Sequence, residues 1–395
     1  MKTSGGSKRK IVRVQKKLDK LILGPSARRK KLLLAQGRRN NLEHHSPQIN
    51  RHKNNPIIAP NPENYWESKA TFNPAALYED GKVHLVYRAI GDTDTSVLGY
   101  ATSSDGIHID DRHTEPMLVP RAPFEGSFPG YKRGGRYTAG YMSGGGGYGG
   151  CEDPRITKID DTVYLTYVAY DGWSAPRVAL TSISVNDFLR HNWEKWSDPV
   201  LISKPNQVNK NACILPEKVN GKYVVFHRVF PDILIDYVDD LDFDGETKWL
   251  KPVKKISPRK TFWDSRKVGI GATPIKTDRG WLLIYQAVGN QDPSRYKIGA
   301  MLLDKNNPAR VLARCKKPIL EPQEHYENGG WKYGVVYPCG AVAMNNQLFV
   351  YYGGSDMVTC VATAPIDIFL NQLTSTEEPS ITRKIVSRMS TYVTN

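Results

Sequence analysis

Five short polar stretches carry most of the chain's potential for chemistry. They are Phe72-Asn73-Pro74-Ala75, Glu152-Asp153-Pro154-Arg155, Lys210-Asn211, the glycine-containing segment from Lys267 to Pro274, and Tyr337-Pro338-Cys339-Gly340. Between them they offer carboxyl groups at Glu152 and Asp153, carboxamides at Asn73 and Asn211, and ammonium groups at Lys210 and Lys267. A single Asn-Pro or Asp-Pro pair is ordinary turn chemistry. Here each stretch stands at a similar offset upstream of one repeated strand, and five in phase point to a shared pocket.

The repeat that would position them begins near Thr71. Five segments share a turn, an alternating apolar strand, and an aromatic or histidine marker: Tyr87, Tyr167, His227, Tyr285 and Tyr352. Four are followed by a clear second strand, at Leu98–Thr102, Arg177–Thr181, Lys297–Met301 and Thr359–Thr363; the third has Ile233–Tyr237 as its counterpart. The markers recur at the length of a four-stranded blade with its loops. No long helical pattern separates the strands, which excludes a parallel α/β sheet. The reading is an all-β, five-bladed β-propeller over residues 55–370, with a C-terminal tail at 371–395. In such a fold equivalent positions of every blade face one axis.

Composition agrees. The 21 tyrosines and 8 tryptophans suit strands and sugar-stacking surfaces. No apolar run is long enough to span a bilayer, and the N-terminus lacks the pattern of a secretory signal. The five cysteines are scattered, without a CxxC pair, which argues against a disulfide framework or a metal site and for a reducing, cytoplasmic setting. The net charge of +15 is concentrated in the first 60 residues, where 16 Lys and Arg face only Asp19 and Glu43; the remaining 39 basic and 38 acidic side chains nearly cancel. The charge is therefore an attachment rather than a nucleic-acid-binding surface. That attachment, residues 1–54, alternates basic clusters with apolar stretches such as Leu21-Ile22-Leu23 and Leu32-Leu33-Leu34, broken at Gly24-Pro25. It is open to three readings: a flexible tail, a helical arm that packs on a neighbouring subunit of a homo-oligomer, or a nucleic-acid or membrane-surface contact. The helical arm is the expectation carried forward.

The stretches above, with Tyr87-Arg88-Ala89, Ser104-Asp105-Gly106, Pro216-Glu217-Lys218, His227-Arg228, Gly280-Trp281-Leu282 and Tyr352-Gly353-Gly354-Ser355-Asp356, resemble glycoside hydrolase family 130 from about Asn55 to Phe369. No one of these motifs is diagnostic, but their order and spacing together are specific. That family comprises mannoside phosphorylases and related β-mannosidases on a five-bladed propeller. The chain departs from the family pattern in having Tyr285-Gln286-Ala287 for Tyr-His-Gly, Thr273-Pro274 for Pro-Pro, and a glycine-rich insertion before Asp153.

The resemblance implies cleavage of a β-mannosidic bond by inorganic phosphate, as co-substrate and without a cofactor or metal, to give α-mannose 1-phosphate. An inverting hydrolase needs an acid and a base. A phosphorylase needs only the acid, together with cations to hold the anionic nucleophile. The match assigns the acid to Asp153. It assigns phosphate binding to Lys210, Asn211, Arg228 and Lys267 with His227 and Tyr285 nearby, and sugar binding to Asn73, Arg88, Asp92, Glu152 and Asp356. Tyr131, Trp173 and Tyr333 are candidates for stacking on the acceptor sugar. The competing readings are a β-mannosidase on the same scaffold and a non-catalytic carbohydrate-binding propeller. The linkage, β-1,4 or β-1,2, stays open.

Overall fold

Alternating β-branched and aromatic residues, punctuated by Asp-Gly, Asp-Asp, Asn-Gly and Asn-Asn turns, fold as consecutive antiparallel hairpins. A computed structural model describes residues 47–126 and 148–375; the basic arm, its expected helix, and Tyr131 lie outside the described residues. In chain order the strands are β1 (Asn50–Arg51), then β2 (Ala70–Glu79), β3 (Lys82–Ile90), β4 (Ser96–Ser103) and β5 (Asp111–Arg112). Next come β6 (Gly150–Ile159), β7 (Thr162–Tyr170), β8 (Arg177–Ser184) and β9 (Val200–Leu201), followed by β10 (Lys210–Ile214), β11 (Tyr223–Val229), β12 (Asp232–Val238) and β13 (Lys254–Ile256). The last are β14 (Lys267–Ile270), β15 (Ile275–Lys276), β16 (Trp281–Val288), β17 (Lys297–Leu303), β18 (Val311–Arg314), β19 (Val336–Met344), β20 (Gln347–Gly354) and β21 (Val358–Pro365). Short helices at Val185–Leu189, His325–Asn328 and Ile366–Thr374 interrupt an otherwise all-β chain.

Five antiparallel runs result: β2 to β5, β6 to β9, β10 to β13, β14 to β18, and β19-β20-β21 with β1 as the outer strand. Hydrogen bonding gathers them into four sheets, because one parallel pair, Ser96 with Gly150, ties the first run to the second. Gly150 makes this approach possible: a Cβ there would lie 2.1 Å from the Ser96 carbonyl oxygen. The leading strands touch in sequence. β2 packs on β6 and β19, β6 on β10, β10 on β14, and β19 on β16. Apolar side chains fill the spaces between neighbouring runs, as where Val86, Leu98 and Tyr100 of the first meet Ile156, Leu165 and Tyr167 of the second.

The five markers occupy the same strand of their runs, β3, β7, β11, β16 and β20, and each has the same use. Tyr87 donates to Glu67 at 2.8 Å, Tyr167 to Glu125, Tyr285 to Asp264 at 2.8 Å, and Tyr352 to Glu327 at 2.9 Å. His227 pairs through Nε2 with Asp236 at 2.8 Å. All five acids are buried. Each Tyr-bonded acid meets further donors: Arg112 on Glu67, the Arg121 and Ala122 amides on Glu125, Arg259 and Arg314 on Asp264, and Arg51 on Glu327. A buried carboxylate is tolerable when its oxygens are satisfied in this way. The repeat is a series of latches, four of which pin the segment carrying the acid to a strand, while His227 joins β11 to Asp236 on the adjacent β12.

Candidate active site

The polar stretches are not turns but bulges. Register slips between Phe72 and Ala75 on β2, between Glu152 and Arg155 on β6, and between Lys210 and Cys213 on β10. Asn73, Asp153 and Asn211 sit in these slips at φ of 52°, 48° and 56°. Asn and Asp are the non-glycine residues that enter this left-handed region most readily, and Pro74 and Pro154 lack the N–H that an interrupted ladder cannot use. A bulge re-aims its side chain. β19 slips between Pro338 and Gly340, and the fourth run breaks between β14 and β15, both of which pair with β16.

Strand alternation then sorts the residues that follow the markers. Successive side chains point to opposite faces, so where the marker turns to its latch, its successor turns the other way. Those successors are Arg88, Val168, Arg228, Gln286 and Gly353. Their ladder partners on the leading strands are Phe72, Glu152, Lys210, Gly269 and Tyr337.

Asp153 accepts from Asn73 Nδ2 at 2.7 Å and pairs with Arg88 at 3.4 Å. The fully buried Arg88 also reaches Glu152 at 3.1 Å and Ser96 Oγ at 3.0 Å, with its guanidinium 4.9 Å from the Phe72 ring centre. Lys210 Nζ lies 3.6 Å from the second Glu152 oxygen. Arg155 is held by three carbonyls, those of Asp153, Ile270 and Gly271. Burial pushes the Asp153 carboxyl up, but Arg88, Arg155, the Asn73 hydrogen bond and Lys210 outweigh it and hold the group below the usual carboxylate range. Asp356, buried at φ 53°, moves the other way: burial raises it and the charges of Asp153 and Glu152 add to that, against Lys332 and Arg88. Their surroundings thus push these two carboxyls in opposite directions.

On the cationic side, Arg228, Asn211 and Gln286 crowd onto Gly269, where an added Cβ would stand 3.2, 2.8 and 2.3 Å from their side-chain atoms. Gln286 Nε2 donates to Asn211 Oδ1 at 3.1 Å, and Asn211 Nδ2 donates to the Tyr337 hydroxyl. Gln286, the departure from the family pattern, therefore orients a neighbouring carboxamide. Lys267 donates to the Tyr296 hydroxyl; its Nζ lies 4.4 Å from that ring's centre and Lys332 Nζ lies 4.5 Å from it. Burial lowers Lys267, with Arg228 and Lys332 repelling its charge and Tyr296 opposing them. Sequence reasoning missed Tyr296 and Lys332.

Three expected site residues lie elsewhere. His227 and Tyr285 are latches, turned to Asp236 and Asp264, and alternation keeps them off the face that Arg228 and Gln286 occupy. His227 Nδ1 is in addition engaged by Asn209. Asp92 is exposed and accepts from Ser68 at 2.7 Å. Trp173 and Tyr333 are exposed as acceptor-side aromatics should be, and Arg295 packs over the Tyr333 ring. Among the described residues no cluster of three or more His, Cys, Asp or Glu could hold a metal ion, and no helix is long and apolar enough to cross a membrane.

Known proteins share this sequence and geometry. A β-1,2-mannobiose phosphorylase from Thermoanaerobacter sp. (strain X514) is 39% identical over 78% of this chain and 94% of its own length. A 1,2-β-oligomannan phosphorylase of the same organism is 37% identical over 80% of this chain and 96% of its own. The solved β-1,2-mannobiose phosphorylase of Listeria innocua, in complex with β-1,2-mannobiose, superposes with a TM-score of 0.63 at 26% identity, covering 82% of this chain and 99% of that one. The model of glycoside hydrolase family 130, described as β-1,4-mannooligosaccharide phosphorylase, matches residues 142–375. With that match and these relatives, the chain belongs to glycoside hydrolase family 130.

Proposed function

We propose that the chain cleaves β-1,2-linked mannosides with inorganic phosphate, inverting the anomeric centre to give α-mannose 1-phosphate, and that its five runs are the blades of one propeller. The ring of contacts among leading strands supports the propeller. The observation that carries the function is that acid and cations act on the same small volume. Asp153 and Arg228 both bear on the Tyr337 hydroxyl and on Lys332.

Phosphate is taken by Lys210, Asn211, Arg228 and Lys267. Arginine offers a bidentate fork, lysine a point charge and asparagine a neutral donor. The mannosyl ring is held by Asn73, Arg88, Glu152 and Asp356. Buried polar atoms Asn73 Oδ1 and Ser355 Oγ, which have no hydrogen-bond partner among the described residues, suit its hydroxyls. Phosphate oxygen attacks the anomeric carbon as the β C–O bond breaks, and the departing oxygen receives a proton supplied by Asp153 through a sugar hydroxyl. In the free enzyme Asp153 is held ionised. A dianion beside Lys210 offsets the cations' pull and lets the carboxyl take its proton when the nucleophile is present. The β-1,2 linkage follows the names of the relatives that share most of this chain.

The test is product analysis of β-1,2- and β-1,4-mannobiose incubated with and without phosphate. The expected outcome is α-mannose 1-phosphate from the β-1,2 isomer, dependent on phosphate. Free mannose released at an equal rate without phosphate would make the enzyme a hydrolase.

A further inference from the structure

Tyr296 stands at the point where the cations meet, and its hydroxyl is in unusual company for a buried phenol. Lys267 from β14 donates to it, Lys332 from the segment before β19 lies over the same ring, and Arg228 from β11 adds its charge. Ammonium and guanidinium groups only donate, so the phenol's proton gains nothing from them while its oxygen gains three positive neighbours. From β19 the Tyr337 ring meets Tyr296 edge-on at 5.6 Å. The residues flanking Tyr296 turn elsewhere: Arg295 packs over Tyr333, and Lys297 pairs with Asp292 and Glu321. Two acids, Asp356 and Asp153, act on Lys332 and favour its charge.

We propose that Tyr296 is a proton-exchanging counter-ion: in the phosphate-free enzyme it is poised to ionise among Lys267, Lys332 and Arg228, and phosphate binding holds it protonated. This rests on the reading that those cations hold phosphate. The proton balance is simple. Dihydrogen phosphate gives the proton of one P–O–H group to the phenolate oxygen, a phenol O–H forms, and monohydrogen phosphate stays among the cations as the nucleophile. When monohydrogen phosphate binds instead, the phenolate takes its proton from solvent. Burial alone pushes the phenol up, but Lys267, Lys332 and Arg228 bring it down to about 8. Phosphate removes their net charge from the phenol's point of view, and the phenol returns toward its ordinary range.

Two measurements on the full-length enzyme decide it. The first is a pH titration of tyrosinate ultraviolet absorbance with and without saturating inorganic phosphate. One tyrosine should ionise near 8 without phosphate, and phosphate should move that step up by about one unit or more. Tyr296→Phe should remove the step. The second is phosphate affinity against pH, corrected for the ionisation of phosphate itself. Because only the protonated phenol is competent, wild-type affinity should fall about tenfold from pH 7 to pH 9, and the Phe variant should be flatter over that range. If phosphate supports turnover but leaves the tyrosinate step in place, the counter-ion is refuted and the phosphorylase stands. If turnover ignores phosphate, the functional reading fails and this inference with it. A Phe variant that does not fold leaves the wild-type titration as the deciding result.

Discussion

Asp153 is surrounded by groups that stabilise its charge, yet the reaction asks it for a proton. Asn cannot donate that proton, so Asp153→Asn should lower the cleavage rate by about 10²–10⁴-fold. Phosphate affinity should stay near wild type, because the amide keeps the hydrogen bond to Asn73. Arg228→Ala works on the other reactant. Losing a charged hydrogen bond of about 1.5–3 kcal/mol should raise the KM for phosphate by roughly ten- to a hundredfold while the KM for mannoside moves little. Steady-state kinetics with each substrate varied separates the two; equal effects on both KM values would sink the assignment. Asn73, Asp153 and Asn211 could be read from sequence because few residue types accept a bulge's left-handed backbone. Tyr296 and Lys332 could not, since Tyr296 comes from the loop between β16 and β17 and Lys332 from the segment before β19, and both enter the site only through tertiary packing. The resemblance set His227 and Tyr285 beside the phosphate ligands, but alternation along a strand turns them to their latches and away from Arg228 and Gln286.

At the level of the strand, the period of the hairpins was plain in the sequence but its purpose was not. An aromatic ring at a fixed place suggests packing; what the fold uses is the hydroxyl at its edge, engaged to a buried carboxylate. Tyr352→Phe keeps the ring and removes the donor to Glu327, which should cost about 1–3 kcal/mol. Tyr285→Phe should cost a similar amount at Asp264. The half-exposed Tyr78 is the control, where the same change should stay within about 0.5 kcal/mol. Denaturant midpoints measure all three. If the three changes are equally mild, the latches are ornamental. The acids Glu67, Asp264 and Glu327 stand 20, 21 and 25 residues before their tyrosines, whereas Glu125 stands 42 before Tyr167, and an offset that is not constant is passed over by a reading that looks for a fixed period.

Across the molecule, the seam between the two ends of the sheet region is the feature with the widest reach. β1 pairs with β21 through Asn50 with Thr363 and Arg51 with Ala362, and Arg51 grips the buried Glu327 through two nitrogens at 2.7 and 2.8 Å. Asn55 exchanges two hydrogen bonds with the Val361 backbone beside it. A boundary after residue 54 therefore leaves β1 on the side of the extension, because a two-residue β1 offers no alternation to recognise. Removing residues 1–53 should cost about 3–5 kcal/mol, since it strands the Glu327 carboxylate without its cation. Removing residues 1–46 spares the seam and should leave the unfolding midpoint near wild type. Calorimetry of the two truncated chains checks this, and equal losses in both would place the stabilisation in the basic arm instead.

The same seam has a consequence for how the protein is made. β1 leaves the ribosome well before the strand it pairs with, β21. About 307 residues separate Arg51 from Val358, the start of its partner strand. At translation speeds of about 5–20 residues per second that is a wait of roughly 15 to 60 seconds. During it Arg51 has no carboxylate to grip, and the completed hairpins of the earlier runs stand with one side unclosed. A nascent chain halted before Val358 should remain open to proteolysis near Asn50, and one released past Pro365 should resist it.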